Sequence, residues 1–137
     1  MGREKMLGIV DRSDSFSDRW TEYAKLNKIP YKNIDIFHND LMAQVSDIDA
    51  LLWNWSHGIY QSQLISRQII SSLEYMGIIV YPNTKTCWHF DDKLAQKYLL
   101  DAIKAPIVPT WIFYDLDEAI AWSEDTNFPK VFKLRRG

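Results

Sequence analysis

Apolar positions along this chain alternate between short continuous runs and helical spacings. Leu7-Gly8-Ile9-Val10 is such a run, and it ends in Asp11-Arg12-Ser13-Asp14-Ser15, a cluster of turn and cap residues. The pattern predicts a buried strand, a loop and then a helix whose face is Phe16, Trp20, Tyr23 and Ala24, stopped before Pro30. Ser13, Asp14 or Ser15 is expected to supply the N-cap oxygen. Tyr31 to Phe37 alternates polar and apolar, which predicts a second strand with Ile34 and Ile36 on one face. A short helix around Leu41 to Val45 follows. Ala50-Leu51-Leu52-Trp53 is then a third strand, of the continuously apolar kind that suits a parallel sheet covered on both faces. Leu64, Ile65, Ile69, Leu73 and Met76 step at helical spacing up to Gly77, the residue type favoured just past a helix end. Ile78 to Tyr81 is a fourth strand, ended by Pro82.

Strands at Leu7–Val10, Ile34–Ile36, Leu51–Trp53 and Ile78–Tyr81, alternating with helices over short connections, predict a parallel, doubly wound, Rossmann-like α/β sheet. Residues 1–82 are therefore assigned to one domain and 83–137 to a second. Ligands of such sheets sit beyond the carboxyl ends of the strands, so the loops Asp11 to Ser15 and Asn54 to His57 are expected to open on one crevice. After Pro82 the pattern changes. Thr84 to Trp88 reads as one helical turn, and Asp91 or Asp92 caps a helix with the face Leu94, Ala95, Tyr98, Leu99, Ala102 and Ile103. Thr110 to Tyr114 is an edge-strand candidate, Asp115 opens another helix through Ala119, Ile120 and Trp122, and Val131 to Leu134 is a last strand. Two strands and a helix have no means of closing a sheet by themselves.

At 137 residues and 47% hydrophobic content the chain can build a real core. A net charge of -2, from 16 basic and 18 acidic residues, argues against a general nucleic-acid binder. One cysteine, Cys87, excludes an internal disulfide and a cysteine-rich zinc site. His38 and His89 have no partner at metal-ligand spacing, so no metal site is expected. The amino terminus carries no signal-peptide pattern, and no apolar stretch reaches the ~20 residues of a membrane helix. A cytoplasmic protein without a membrane or nucleic-acid partner is the expectation; a homo-oligomer is left open.

Two lysines change this picture. Lys93 falls in the first turn of a predicted helix, directly after Asp92, and Lys133 falls inside the apolar run Val131-Phe132-Lys133-Leu134, introduced by Phe128-Pro129. A lysine within such a run is costly to bury unless an anion meets it. Asp92-Lys93 and Phe128-Pro129-Lys130-Val131-Phe132-Lys133 together resemble the start of an ATP-grasp domain, the nucleotide-binding unit of carboxylate–amine ligases of the glutathione synthetase and ribosomal-protein glutamate ligase type. The resemblance covers Tyr81 to Gly137 by motif, and the order of elements before it suits the family's preceding Rossmann-like domain. It implies a pre-ATP-grasp domain followed by a truncated α+β ATP-grasp subdomain, with Lys93 and Lys133 on ATP phosphate oxygens. It also implies a small-molecule or peptide carboxylate substrate, activated as an acyl phosphate and then attacked by an amine. ATP and Mg²⁺ are the cofactors it implies for a full-length parent.

Two departures from the family stand out. Lys104 occupies a helix end where the family commonly has glycine. The sequence given ends at Gly137, before the glycine-rich loop, the adenine hinge and the magnesium ligands of the family, so the resemblance implies an amino-terminal fragment without ligase activity or catalytic residues of its own.

In the first domain, Asp11, Arg12, Ser13 and Ser15 form a loop that resembles the acceptor-shaping loop of these ligases, and Arg12 suits a bidentate carboxylate contact. The alternative is that the serines and aspartates of this loop only cap the helix. Asn54, Trp55 and His57 beyond the third strand are expected to face the same crevice. Trp20, Trp53 and Trp122 read as core; Trp55, Trp88 and Trp111, near loop ends, read as pocket or contact residues. A receiver-like signalling domain also fits the alternation, but it needs an aspartate at the end of the third strand, where this chain has Asn54. A non-catalytic binding or interaction domain built on the same crevice is the remaining alternative.

Overall fold

The computed structural model describes residues 3–13 and 15–136. The expected cap Asp14 and the terminal Gly137 lie outside the described residues. The chain divides into two compact units, Met1–Trp88 and His89–Gly137.

The first unit is built on four parallel strands, β1 (Leu7–Ile9), β2 (Tyr31–Asn33), β3 (Ala50–Leu52) and β4 (Ile79–Tyr81), in the order β2-β1-β3-β4. Leu7 pairs with Tyr31 on one side and Ala50 on the other, and Leu52 pairs with Tyr81. Helices α1 (Ser17–Leu26), α2 (Leu41–Gln44) and α3 (Tyr60–Tyr75) make the crossovers, and α4 (Thr84–Cys87) follows the last strand. This is the parallel α/β alternation expected from the sequence. Ile9, Leu51, Val45, Ile70 and Leu73 are fully buried between sheet and helices. Gly8 lets the layers approach: a Cβ there would lie 2.8 Å from Ile48 Cδ1 and 3.0 Å from Leu51 Cδ1.

The second strand is displaced from its expected position. Pairing covers Tyr31–Asn33 rather than Ile34–Ile36, although both isoleucines are buried as their face required. The Ile34 amide still reaches the Ile9 carbonyl at 2.8 Å, but the Asp35 amide donates to Gln44 Oε1 at 2.9 Å. A side chain from α2 thus replaces the strand partner, and the chain turns away.

Asp49 ties the amino terminus to the sheet. Its carboxylate accepts from the Met6 amide at 2.8 Å and from Arg3 and Lys5 at 3.1 Å. The hydrogen bond from Met6, then Lys5, holds this carboxyl below the usual aspartate range.

The second unit contains α5 (Lys93–Ala102) and α6 (Leu116–Asp125), with Asp92 and Asp115 accepting hydrogen bonds from Ala95 and Glu118 as N-caps. The two strands expected at Thr110–Tyr114 and Val131–Leu134 do not form. No strand among the described residues of this unit offers them a ladder. Trp111 and Phe113 instead pack on Trp122 of α6, with ring centroids 5.1 and 5.2 Å away. Val131, Phe132 and Leu134 remain more than three-quarters exposed. No described helix is long and apolar enough to cross a membrane.

Candidate functional site

In the order β2-β1-β3-β4 the connection after β1 runs to β2 and the connection after β3 runs to β4, so the two leave adjacent strands in opposite directions. Adjacent strand ends whose loops part in this way leave a crevice, and that is where parallel sheets bind ligands. A cleft of about 380 Å³ lies there. Its walls come from the loop after β1 (Val10, Asp11, Arg12), the end of β2 and the turn beyond it (Asn33, Ile34, Asp35, Ile36, Phe37), Gln44 of α2, Trp53 and Trp55 after β3, and Ile59 and Ser62 at the start of α3.

Ser17, fully buried in the first turn of α1, fixes the loop after β1. Its Oγ accepts from the Arg12 amide at 2.9 Å and has two acceptors for its own proton at 2.9 Å, Asp11 Oδ1 and the Arg12 carbonyl. Ser15 Oγ accepts from the Ser17 amide at 3.2 Å, while the residue in the N-cap position of α1 is Phe16, without a side-chain cap. The serines of this loop therefore hold its shape, and Ser15 plays the capping part expected of it only one residue off the helix boundary.

Arg12 is half-buried, and its Nε is buried without a hydrogen-bond partner among the described residues. A guanidinium N–H kept from water without an acceptor costs about 1–3 kcal/mol. An anion in the cleft would remove that cost.

Across the cleft, a chain of polar contacts orients the turn after β2. His38 Nδ1 lies 2.5 Å from Asp40 Oδ1, the same oxygen accepts from Gln44 Nε2 at 2.6 Å, and Gln44 Oε1 accepts from the Asp35 amide. Bonds from Gln44 and then His38 keep the exposed Asp40 carboxyl below its ordinary pKa. Trp53 and Trp55 are both buried, with centroids 5.5 Å apart and planes at 55°. Trp55, read from the sequence as a pocket or contact residue, lines the cleft and is at the same time part of the buried core.

The structure brings Asp11, Arg12 and Trp55 together at the cleft as expected. Ser13, Ser15, Asn54 and His57 are not among its lining residues, and Ser13 and His57 are exposed. The sequence reading missed Asn33, Asp35, Gln44 and Ser62, because strand order was needed to place the end of β2 beside β1.

The second unit holds the lysine motifs. Lys133 is exposed in a segment that is neither helix nor strand, so the burial argument for it does not hold. Lys93 is half-buried at the first position of α5. The residue two positions past the second motif nevertheless meets the first: the Lys93 amide donates to the Arg135 carbonyl at 3.0 Å, and the Arg135 guanidinium grips Asp92. Lys130 lies with Nζ 4.9 Å from the centroid of the Trp111 ring. No group of three or more His, Cys, Asp or Glu side chains among the described residues could hold a metal ion. Compared with known proteins, the chain matches no family model and no curated protein.

Proposed function

We propose that this chain supplies the amino-terminal part of an ATP-dependent carboxylate–amine ligase of the ATP-grasp type, a Rossmann-like first domain followed by the opening α+β part of the nucleotide-binding domain. What carries the reading is the meeting of Asp92-Lys93 with the segment that follows Phe128-Pro129-Lys130-Val131-Phe132-Lys133, joined through the Lys93 amide and the Arg135 carbonyl. The sequence resemblance rests on Asp92-Lys93 and on the stretch that ends two residues before Arg135, itself 43 residues from Asp92, and a phosphate site built from both motifs needs them near one another. On this reading Lys93 and Lys133 approach ATP phosphate oxygens as point charges. Among the described residues no group of three or more His, Cys, Asp or Glu side chains could hold the magnesium that this reading calls for. The cleft of the first unit takes the acceptor. The exposed Val131, Phe132 and Leu134 suit a segment that pairs with further strands of the same domain.

Calorimetric titration of ATP with magnesium tests the reading. The 137-residue chain should bind weakly, and a form lengthened by the residues that follow in the same gene should bind tightly. In the longer form Lys133→Ala should weaken binding far more than Lys130→Ala. Tight binding by the short chain, or equal losses from the two substitutions, would sink the assignment.

One observation favours a second reading, that of a binding domain without catalysis: every residue lining the cleft lies within the first unit, so that unit can hold a ligand unaided. A longer form that takes up ligand in the cleft but no ATP would decide for it.

A further inference from the structure

We infer that the cleft at the β1–β3 switch point binds an apolar α-amino acid as its zwitterion. The inference rests on the ligase reading in one respect only, that the bound amino acid is then the attacking amine.

Three features of the lining point to this ligand. The first is Arg12, whose buried Nε has no acceptor among the described residues and whose planar fork matches a carboxylate. The first helical turn of α3, which contributes Ile59 and Ser62, adds to the attraction, because the Ile59 N-cap has no side chain bonded to the free amides. The second feature is the presence of Asp11 and Asp35 in the same lining. One oxygen of each is already engaged, Asp11 Oδ1 by Ser17 and Asp35 Oδ1 by the Phe37 amide. Their negative charge disfavours a phosphate dianion beside Arg12 and favours an ammonium a few ångströms from the carboxylate. The third is the apolar part of the wall, Val10, Ile34, Ile36, Trp53, Trp55 and Ile59, which outnumbers the uncharged polar residues Asn33, Gln44 and Ser62 and suits an apolar body. A volume of about 380 Å³ is within the range of small-molecule sites and leaves room for an aromatic side chain.

The test is calorimetric titration of the 137-residue chain in the absence of nucleotide, with L-phenylalanine, L-leucine, 3-phenylpropanoate, 2-phenylethylamine and inorganic phosphate as probes. Phenylalanine or leucine should bind, and removing either the ammonium or the carboxylate should weaken binding at least tenfold. Arg12→Ala should abolish binding of the amino acid, Arg12→Lys should retain part of it, and Arg19→Ala, outside the lining, should leave it unchanged. Circular dichroism of each variant separates loss of the site from loss of the fold, and the probe series on the unmodified protein stands without any variant. Equal binding of phenylpropanoate and phenylalanine, tighter binding of phosphate, or no binding of either amino acid overturns the inference. Since no nucleotide is present, these outcomes are independent of the ATP titration, which can fail alone.

Discussion

The carboxylate of Asp92 and the guanidinium of Arg135 form a two-point fork across 43 residues of sequence, with Nε 3.0 Å and Nη2 2.6 Å from Oδ2. The Asp92 side chain is only 3% exposed, whereas that of Arg135 is 61% exposed. Asp92 also accepts from the Ala95 amide at 3.1 Å, so one carboxylate caps α5 and anchors the segment that ends the second unit. Arg136 adds a longer contact at 3.5 Å.

Replacing Asp92 by Ala removes both functions. Loss of an N-cap costs about 1 kcal/mol, and the fork, discounted because Arg135 is largely solvated, adds about 1 kcal/mol more. Urea unfolding should therefore show Asp92→Ala destabilised by about 2 kcal/mol, and Arg135→Ala by less, since the cap on α5 survives that change. Equal and negligible losses would mean that the fork holds nothing in place.

Acid should act through the same carboxylate. The hydrogen bond from Arg135 outweighs the cost of burial and holds the Asp92 pKa well below its ordinary value of 3.8. A group whose pKa is depressed in the folded state contributes stability above its unfolded pKa and loses it as pH falls through the folded value. The gap in stability between the native chain and Asp92→Asn should thus be full at neutral pH, begin to close below about pH 4, and keep closing with further acid. Unfolding curves measured at several pH values would show it; a gap that widens with acid has the wrong sign.

These contacts mark the boundary of what the sequence disclosed. Strand runs such as Leu51-Leu52 and helix punctuation such as Gly77 are local signals, and the parallel unit assembled from them as expected. Asp92 was legible as a cap because a cap acts within one turn. Its fork with Arg135 was not, since nothing in residues 128–136 indicates which distant carboxylate they meet. The missing strands at residues 110–114 and 131–134 failed for a related reason: apolar alternation gives a segment the capacity to pair, but a ladder needs a neighbour. In the cleft, Arg12 and Trp55 could be named from their position after strands, whereas Asp35 and Gln44 needed the order of strands in the sheet.

Gly8 tests how tightly the sheet is packed. Its missing Cβ would meet Ile48 Cδ1, Ile34 Cγ1 and Leu51 Cδ1, at 2.8 to 3.0 Å, inside the buried core. Forcing a methyl group into such a site costs about 1–3 kcal/mol, so Gly8→Ala should lower the unfolding midpoint without changing the urea dependence. A neutral result would show that the three side chains move aside freely.

Three helices end in the same backbone arrangement, with lysine at its strained position in two of them and glycine in the third. After α1, α3 and α5 the chain passes through Lys28, Gly77 and Lys104, with φ of 53°, 81° and 54°. In each case the next amide reaches back across the helix end, Ile29 to Ala24 at 2.9 Å, Ile78 to Leu73 at 3.0 Å and Ala105 to Leu100 at 2.9 Å. These bonds satisfy carbonyls that the helix itself leaves open, which requires the left-handed conformation. Only glycine adopts it without a Cβ clash, and other residues bear about 1 kcal/mol of strain there. Among the described residues Lys104 has no side-chain partner that a substitution would remove, so Lys104→Gly should stabilise the chain by up to about 1 kcal/mol despite the added freedom of its unfolded state. Gly77→Ala should destabilise by a similar amount, since a Cβ at residue 77 meets no atom within 4 Å and the whole effect is conformational. Thermal unfolding of the two variants should therefore shift in opposite directions, and a shift of the same sign in both would show that the positive φ at Lys104 is not a source of strain.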